Sequence, residues 1–424
     1  MAKFGFALSR SSSGITTGEV EMLTIVGGVY RERCLRPNWD EFYGSAGRAA
    51  SAIAKLAGKV ALHSYMTSQA KGVLDDRKVA EGFDVYDTET TEGISFYYEH
   101  GLARPKFWRP TSQLSPLQVK GDHVLRYGMM EGTAIIHADY AVFDPQNVDG
   151  PESFHQNGST ANHLALVLNR YEARALLGAA DNLSLDQAAQ QLAHQENAEV
   201  VIIKCGPQGA LVWHSGKITQ VPAYETTNVW KIGSGDQFAA NFAYAWMEEQ
   251  RDPVAAADRA SRATAFYCQH LGFPTASELD GYKPDPIFIS DNYKKGVRRK
   301  VYLAGPFFTL GELWVVDQTR RSLLDMGLEV FSPYHDVGPG DAADVVPKDI
   351  MGIHDCDLLL AIMDGTDAGT VFEVGFAHRE GKPVIVYAEN ETTENRKMMI
   401  GSGCFMCRDF VSAIYKTVWV AASL

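Results

Sequence analysis

Short, predominantly apolar runs recur along this chain, several of them stopped by a glycine, a proline or a charged residue. They include Met22–Val26 before Gly27-Gly28, Ala134–His137, Leu164–Leu168 and Val200–Lys204. The same texture returns in 300–304 before Gly305-Pro306, in 357–363 before Asp364-Gly365, and in 383–387. A run of four to seven apolar residues without polar alternation is the signature of a strand covered on both faces, as in a parallel sheet. Helical spacing fills the intervals: an Ala-rich stretch Gly47–Leu56, the positions Phe238, Phe242, Ala245 and Trp246, and Leu313–Met326 closed by Gly327. Strands alternating with helices predict an α/β fold with helices on both sheet faces. The segment 94–98 (ISFYY) reads as a small β element outside the main sheet.

The texture is interrupted once. Residues 280–299 (DGYKPDPIFISDNYKKGVRR) combine prolines, turn formers and a basic run, Lys294, Lys295, Arg298 and Arg299, that continues into Lys300. This reads as a linker between residues 1–279 and residues 300–424. The 424 residues carry a formal net charge of −13, and the basic run is too short to offset it. A phosphate-neutralising nucleic-acid binder is therefore not expected. No apolar run reaches the ~18–20 residues of a membrane span. The opening MAKFGFALSRSSSG lacks a secretory apolar region, so a cytoplasmic protein is expected. Cys404 and Cys407 form an isolated C-x-x-C without zinc-like partners, and no metal is assigned to it.

Gly233-Ser234-Gly235-Asp236 precedes an amphipathic stretch. Small residues opening a helix let backbone amides face an anion, and an aspartate there is placed to take a proton from an attacking hydroxyl. Equally, Ser234 caps the helix and Asp236 complements its dipole. Asn169-Arg-Tyr-Glu172, the strand Val201–Lys204 with Gly206-Pro-Gln-Gly209, and Gly44-Ser-Ala-Gly47 before the Ala-rich stretch occur in the matching order. Together these motifs resemble the ribokinase (PfkB-type) sugar and nucleoside kinases over roughly residues 20–275. The resemblance implies a ribokinase-like α/β sandwich, ATP and Mg2+ where the kinase is active, Asp236 as base, Asn169 and Glu172 at the magnesium shell, and Gly206 and Gly209 beside the nucleotide. The acceptor positions depart from the family: Glu32 stands where Asp is usual, Arg48 replaces Asn, and Trp230-Lys231 replaces Asp-Thr. Arg is a permanently charged five-donor fork. Either the acceptor pocket holds an anion or this part binds without phosphorylating.

Residues 300–400 are denser in carboxylates. Open α/β sheets bind ligands at the carboxyl ends of strands, where Asp364, Asp367 and Glu373 are expected to gather. Paired carboxylates suit glycosyl chemistry. Against this, Thr370-x-x-Glu373 is also a capping-box sequence, in which Glu373 only closes a helix. Tyr302-Leu-Ala-Gly305-Pro306-Phe-Phe, Phe331-Ser-Pro, Asp349 ahead of Gly352-Ile, and Asp364-Gly-x-Asp367-x-Gly-Thr-x-Phe-Glu373-x-Gly resemble the nucleoside 2-deoxyribosyltransferases. That family includes nucleotide N-glycosidases. The resemblance implies a small doubly wound, Rossmann-like sheet with no cofactor for glycosyl transfer. It implies Glu373 as nucleophile, Asp367 holding the sugar hydroxyls, Asp349 assisting protonation of the base, and Tyr302 beside the nucleophile. Gly305-Pro306 would shape the pocket floor, and Asn395 would be lent across a subunit interface of a homo-oligomer. The expected substrate is a nucleoside or nucleotide. The kinase-like part is read either as an active sugar or nucleoside kinase in a salvage pair, or as a ligand sensor regulating the glycosidase.

Overall fold

The computed structural model describes residues 22–178 and 183–424, so the opening segment read for a leader lies outside the described residues. The first part of the chain supplies β1 (Leu23–Val26), β2 (Arg31–Arg36), β3 (Trp39–Phe42), β4 (Val60–Met66), β5 (Asp84–Glu89), β6 (Ser95–His100) and β7 (Lys106–Trp108). It continues with β8 (Leu117–Tyr127), β9 (Ala134–Asp144), β10 (Thr160–Asn169), β11 (Val200–Lys204), β12 (Ala210–His214) and β13 (Lys217–Val221). Nine of these form one sheet in the order β13-β12-β11-β10-β9-β8-β1-β4-β5. It is parallel from β11 to β5, with antiparallel pairs β11–β12 and β12–β13 at one end.

Alternation along each strand explains why the apolar runs lack polar gaps. Leu23 and Ile25 enter one core while Val26 enters the other. Val200 and Ile202 likewise oppose Val201 and Ile203. Both faces are covered by helices, so apolar residues fill nearly every position of these strands. The expected β element around 94–98 is β6, which joins β3, β2 and β7 in a separate sheet ordered β3-β2-β6-β7.

The second part builds β14 (Lys300–Ala304), β15 (Glu329–Phe331), β16 (Leu358–Ile362), β17 (Val384–Tyr387) and β18 (Phe405–Cys407), all parallel, in the order β15-β14-β16-β17-β18. Val301 and Leu303 face the helices Leu310–Asp325 and Phe410–Ser423, whereas Tyr302 and Ala304 face the helices Ala342–Asp355 and Ala368–Arg379. This is the doubly wound α/β sheet that the sequence predicts.

The segment 280–299 is not a loose tether. Pro286 bridges to Tyr224, Ser290 N donates to Ala422 O at 2.8 Å, and Asp291–Lys294 forms a short helix. Gln208 Nε2 donates to Tyr293 Oη at 3.0 Å. Its basic run is partly consumed in local pairs, Lys294 with Asp291 and Arg299 with Asp357. Among the described residues no helix is long and apolar enough to cross a membrane.

Candidate functional site

Two constellations stand out, one in each part. In the second part, Tyr302 is fully buried on β14, and its hydroxyl donates to Glu373 Oε1 at 2.6 Å. The capping-box reading of Glu373 does not hold. The helix Ala368–Arg379 is capped by Asp367, whose Oδ2 accepts from Thr370 N at 2.7 Å and from Thr370 Oγ1 at 2.9 Å. With the cap supplied by Asp367, Glu373 lies one turn further along and turns toward β14. Burial, then the nearby charges of Asp349 and Asp367, push the Glu373 carboxyl up to about 7 against the opposing Tyr302 bond. Asp349 lies on the helix Ala342–Asp355 after β15, and burial raises its pKa too. Its Oδ1 is shut from water without a hydrogen-bond partner among the described residues. A carboxylate oxygen left bare in this way awaits a donor or a proton.

Gly352 shapes this wall. A Cβ there would lie 2.4 Å from Phe331 Cε1, and Phe331 stacks on Tyr302 with ring centroids 5.5 Å apart. Gly305 and the buried Pro306 continue from β14, with Gly305 packed on Ile362. Two expected site residues make other contacts. Asp364 accepts from Asn390 N and Nδ2 at 2.9 and 3.1 Å, tying together the loops after β16 and β17. Asn395 is exposed and donates to Glu391 Oε2 at 2.6 Å.

In the first part a cavity of about 490 Å³ is lined by Glu32, Asn169, Glu172, Gly206, Gly209, Gly233, Ser234, Gly235 and Asp236. The sequence motifs thus converge on one cleft. Gly233, with φ +74°, is the residue that opens the helix Ser234–Ala243. Ser234 does not cap it; its Oγ accepts from Lys231 Nζ at 3.1 Å. Asn169 and Glu172 form a reciprocal capping box, Glu172 N to Asn169 Oδ1 at 2.9 Å and Asn169 N to Glu172 Oε2 at 2.7 Å. The cap uses one of the two Glu172 oxygens.

Arg48 lies behind this cleft at 0% exposure, close enough to Gly233 that a Cβ there would collide with the guanidinium. Its Nη1 donates to Asp236 Oδ2 at 2.8 Å and to Glu32 Oε1 at 3.1 Å, and Nη2 pairs with Glu32 Oε2. Its Nε donates to Tyr267 Oη at 3.2 Å. The other Asp236 oxygen accepts from Gln146 Nε2 at 3.1 Å. Arg48 is therefore committed to protein carboxylates, which removes the basis for reading it as the receptor of an anionic acceptor. Both oxygens of the expected base are already engaged.

Several lining residues receive no binding role from sequence, Lys231 among them although it stands as a departure from the family. Lys204, at the end of β11, pairs with the buried Asp144 at 2.6 Å. Lys231 contributes a second ammonium, its pKa pushed down chiefly by burial. Tyr415 and Trp419 reach the cleft from the helix Phe410–Ser423 of the second part. Lysines at the ends of a strand and of a turn give a recoverable signal; the contribution of residues two hundred positions away does not. For a polyphosphate nucleotide, Lys204, Lys231 and the amides after Gly233 fit the phosphates. Among the described residues no group of three His, Cys, Asp or Glu side chains is placed to hold a metal ion.

Residues 143–278 match the pfkB family carbohydrate kinase, and residues 301–403 match the nucleoside 2-deoxyribosyltransferase family. The chain is a fusion of a PfkB-like and a deoxyribosyltransferase-like part. Both are families of enzymes. Gly44–Gly47, Glu32 and Arg48 lie outside the span matched to the kinase family. Similar solved structures include a nucleoside kinase of Methanocaldococcus jannaschii described as an archaeal member of the ribokinase family, at 15% identity and TM-score 0.47. A double-mutant fructokinase of Vibrio cholerae O395, holding fructose, ADP and a potassium ion, shows 14% identity and TM-score 0.49. Each alignment covers 62% of this chain and 98% of the other. No curated protein matches the chain.

Proposed function

We propose that the deoxyribosyltransferase-like part cleaves or exchanges the N-glycosidic bond of a nucleoside or nucleotide, with Glu373 as the nucleophile. The observation that carries this reading is the Tyr302–Glu373 hydrogen bond, flanked by the charges of Asp349 and Asp367. Departure of a base builds positive charge on the sugar, which a fixed carboxylate stabilises more in the transition state than in the ground state. Glu373 forms a bond to C1′ as the C1′–N bond breaks. The electron pair leaves with the base, and Asp349 supplies the proton that neutralises it. Asp367, oriented by its cap bonds, binds the sugar hydroxyls. Water or a second base then displaces Glu373, and the proton returns to Asp349. This scheme uses no cofactor.

Exposed apolar side chains on the flanking segments, Phe308 at 72%, Leu310 at 86% and Met398 at 80%, support a homo-oligomer whose contacts complete this open face. The deciding experiment follows free base by chromatography over a panel of ribo- and deoxyribonucleosides and their phosphates, with and without an acceptor base. Release of base by the native chain and its loss in Glu373→Ala support the reading; release undiminished in that variant overturns it.

For the PfkB-like part, an active kinase would use ATP as the phosphoryl source, with Asn169 and Glu172 near a hydrated magnesium ion and Asp236 as base. The engagement of both Asp236 oxygens favours the other reading, in which this part binds its ligand without phosphorylating it.

A further inference from the structure

We propose that the cleft of the PfkB-like part is a regulatory site for a nucleoside polyphosphate, whose bound ligand rests against the terminal helix Phe410–Ser423 and so adjusts the glycosyl centre. The proposal rests on reading the PfkB-like part as a binder.

The cleft has two chemically distinct ends. Lys231 and the backbone amides that open the helix Ser234–Ala243, beside the Lys204–Asp144 pair, give one end donors that an anion can use. Tyr415, Trp419 and Val229 line another stretch with aromatic and aliphatic surface. A ligand matching both carries several negative charges at one end and a flat, weakly polar group at the other. A nucleoside polyphosphate has that form; a free sugar does not. Where a phosphoryl acceptor would deliver its proton, both Asp236 oxygens already accept hydrogen bonds. Arg48 cannot deprotonate, and it holds together Glu32 and Asp236, which themselves line the cleft.

The terminal helix joins this cleft to the other sheet by two separate stripes. Val411, Tyr415 and Trp419, spaced four apart, pack in one cluster with Val229 and Cys268 of the PfkB-like part. Ile414, Val418 and Ala421 pack in another with Val301 and Leu303 of β14. Hydrogen bonds fasten the first stripe at both ends: Val229 N donates to Ser412 Oγ at 2.8 Å, and Trp419 Nε1 donates to Pro207 O at 3.0 Å. Pro207 belongs to the turn Gly206–Gly209 that lines the cleft. Between Val301 and Leu303 stands Tyr302, which points to the opposite face and holds Glu373. Motion of the helix therefore bears on the strand that positions the nucleophile, through contiguous packing.

The test uses the full chain. Calorimetry compares ATP, ADP and inorganic pyrophosphate; hydrogen exchange follows amides 410–423; base release is timed with and without saturating ATP; and labelled ATP is offered with sugars and nucleosides. We expect ATP to bind at least tenfold tighter than pyrophosphate, to slow exchange in the terminal helix, and to change the base-release rate threefold or more without phosphate transfer. Trp419→Ala and, separately, Lys231→Ala are expected to weaken ATP binding at least tenfold and to remove the rate response. Absence of ATP binding, unaltered exchange at 410–423, a base-release rate indifferent to ATP, or phosphate transfer to any acceptor overturns the proposal. If no base is released under any condition, the glycosyl reading has failed, and binding with helix exchange alone decides this one.

Discussion

Glu373 shows how much rests on a neighbour six residues upstream. Its sequence context serves a helix cap and a nucleophile equally well, and the choice falls to Asp367, which takes the cap and leaves Glu373 to Tyr302. Glu373→Ala is expected to lower base release about a thousandfold or more, the scale of losing a covalent nucleophile, while the thermal midpoint moves by only a few degrees. The pH profile carries a second expectation. With its carboxyl near 7, Glu373 is mostly protonated below neutrality, so kcat/KM rises as pH climbs through that value. The Tyr302 bond favours the ionised form. Tyr302→Phe therefore moves this acidic limb upward by about one pH unit, and a limb that stays in place or falls contradicts the arrangement.

Arg48 was legible in sequence as a departure, but its partners were not. Glu32 and Asp236 lie sixteen and 188 positions away, and only the fold brings them to one guanidinium. Arg48→Met leaves two buried carboxylates without their cation, at a cost of about 3–5 kcal/mol in urea unfolding. Burial already holds the Glu32 carboxyl above its ordinary value and the guanidinium opposes this, so the deficit is full at neutral pH and shrinks as pH falls and Glu32 takes up a proton. A deficit that grows with acid contradicts this account.

At the level of elements, the strands were the most legible feature, because burial on both faces writes itself as uninterrupted apolar sequence. Helix ends were less so. The sequence pattern predicts a helix over Lys348–His354, yet the helix runs Ala342–Asp355 with Pro347 inside, forgoing one backbone bond near its start. The terminal helix went unread for a different reason. Its two apolar stripes cover most of its circumference, so it lacks the single polar face that marks a surface helix. Packing between elements is close where Gly352 meets Phe331. Gly352→Ala is expected to lose about 1–3 kcal/mol of stability through overpacking, read as a lower urea midpoint. Because Phe331 stacks on Tyr302, base release should fall with it.

For the whole molecule, the apolar texture predicts two α/β parts, with 280–299 read as a linker between them. Prolines and turn formers in 280–299 describe local backbone shape, and nothing in them reveals that Pro286, Ser290 and Tyr293 dock on both sides. The cluster of Val229, Cys268, Val411, Tyr415 and Trp419 is a shared core. Differential scanning calorimetry of the full chain is accordingly expected to show one cooperative transition, and Trp419→Ala to split or broaden it. Two well-separated transitions in the native chain would mean that the shared core carries little energy.

That shared core has a consequence for anyone dissecting the gene. A cut anywhere in 280–299 does not release two free-standing modules: the shorter fragment would carry Val411, Tyr415 and Trp419 bare to water, and the longer one would expose Val229 and Cys268. Made separately, each fragment would have an adhesive face; made in the same cell, the two faces complement each other. The fusion behaves as a lock whose halves are spelled at opposite ends of one message.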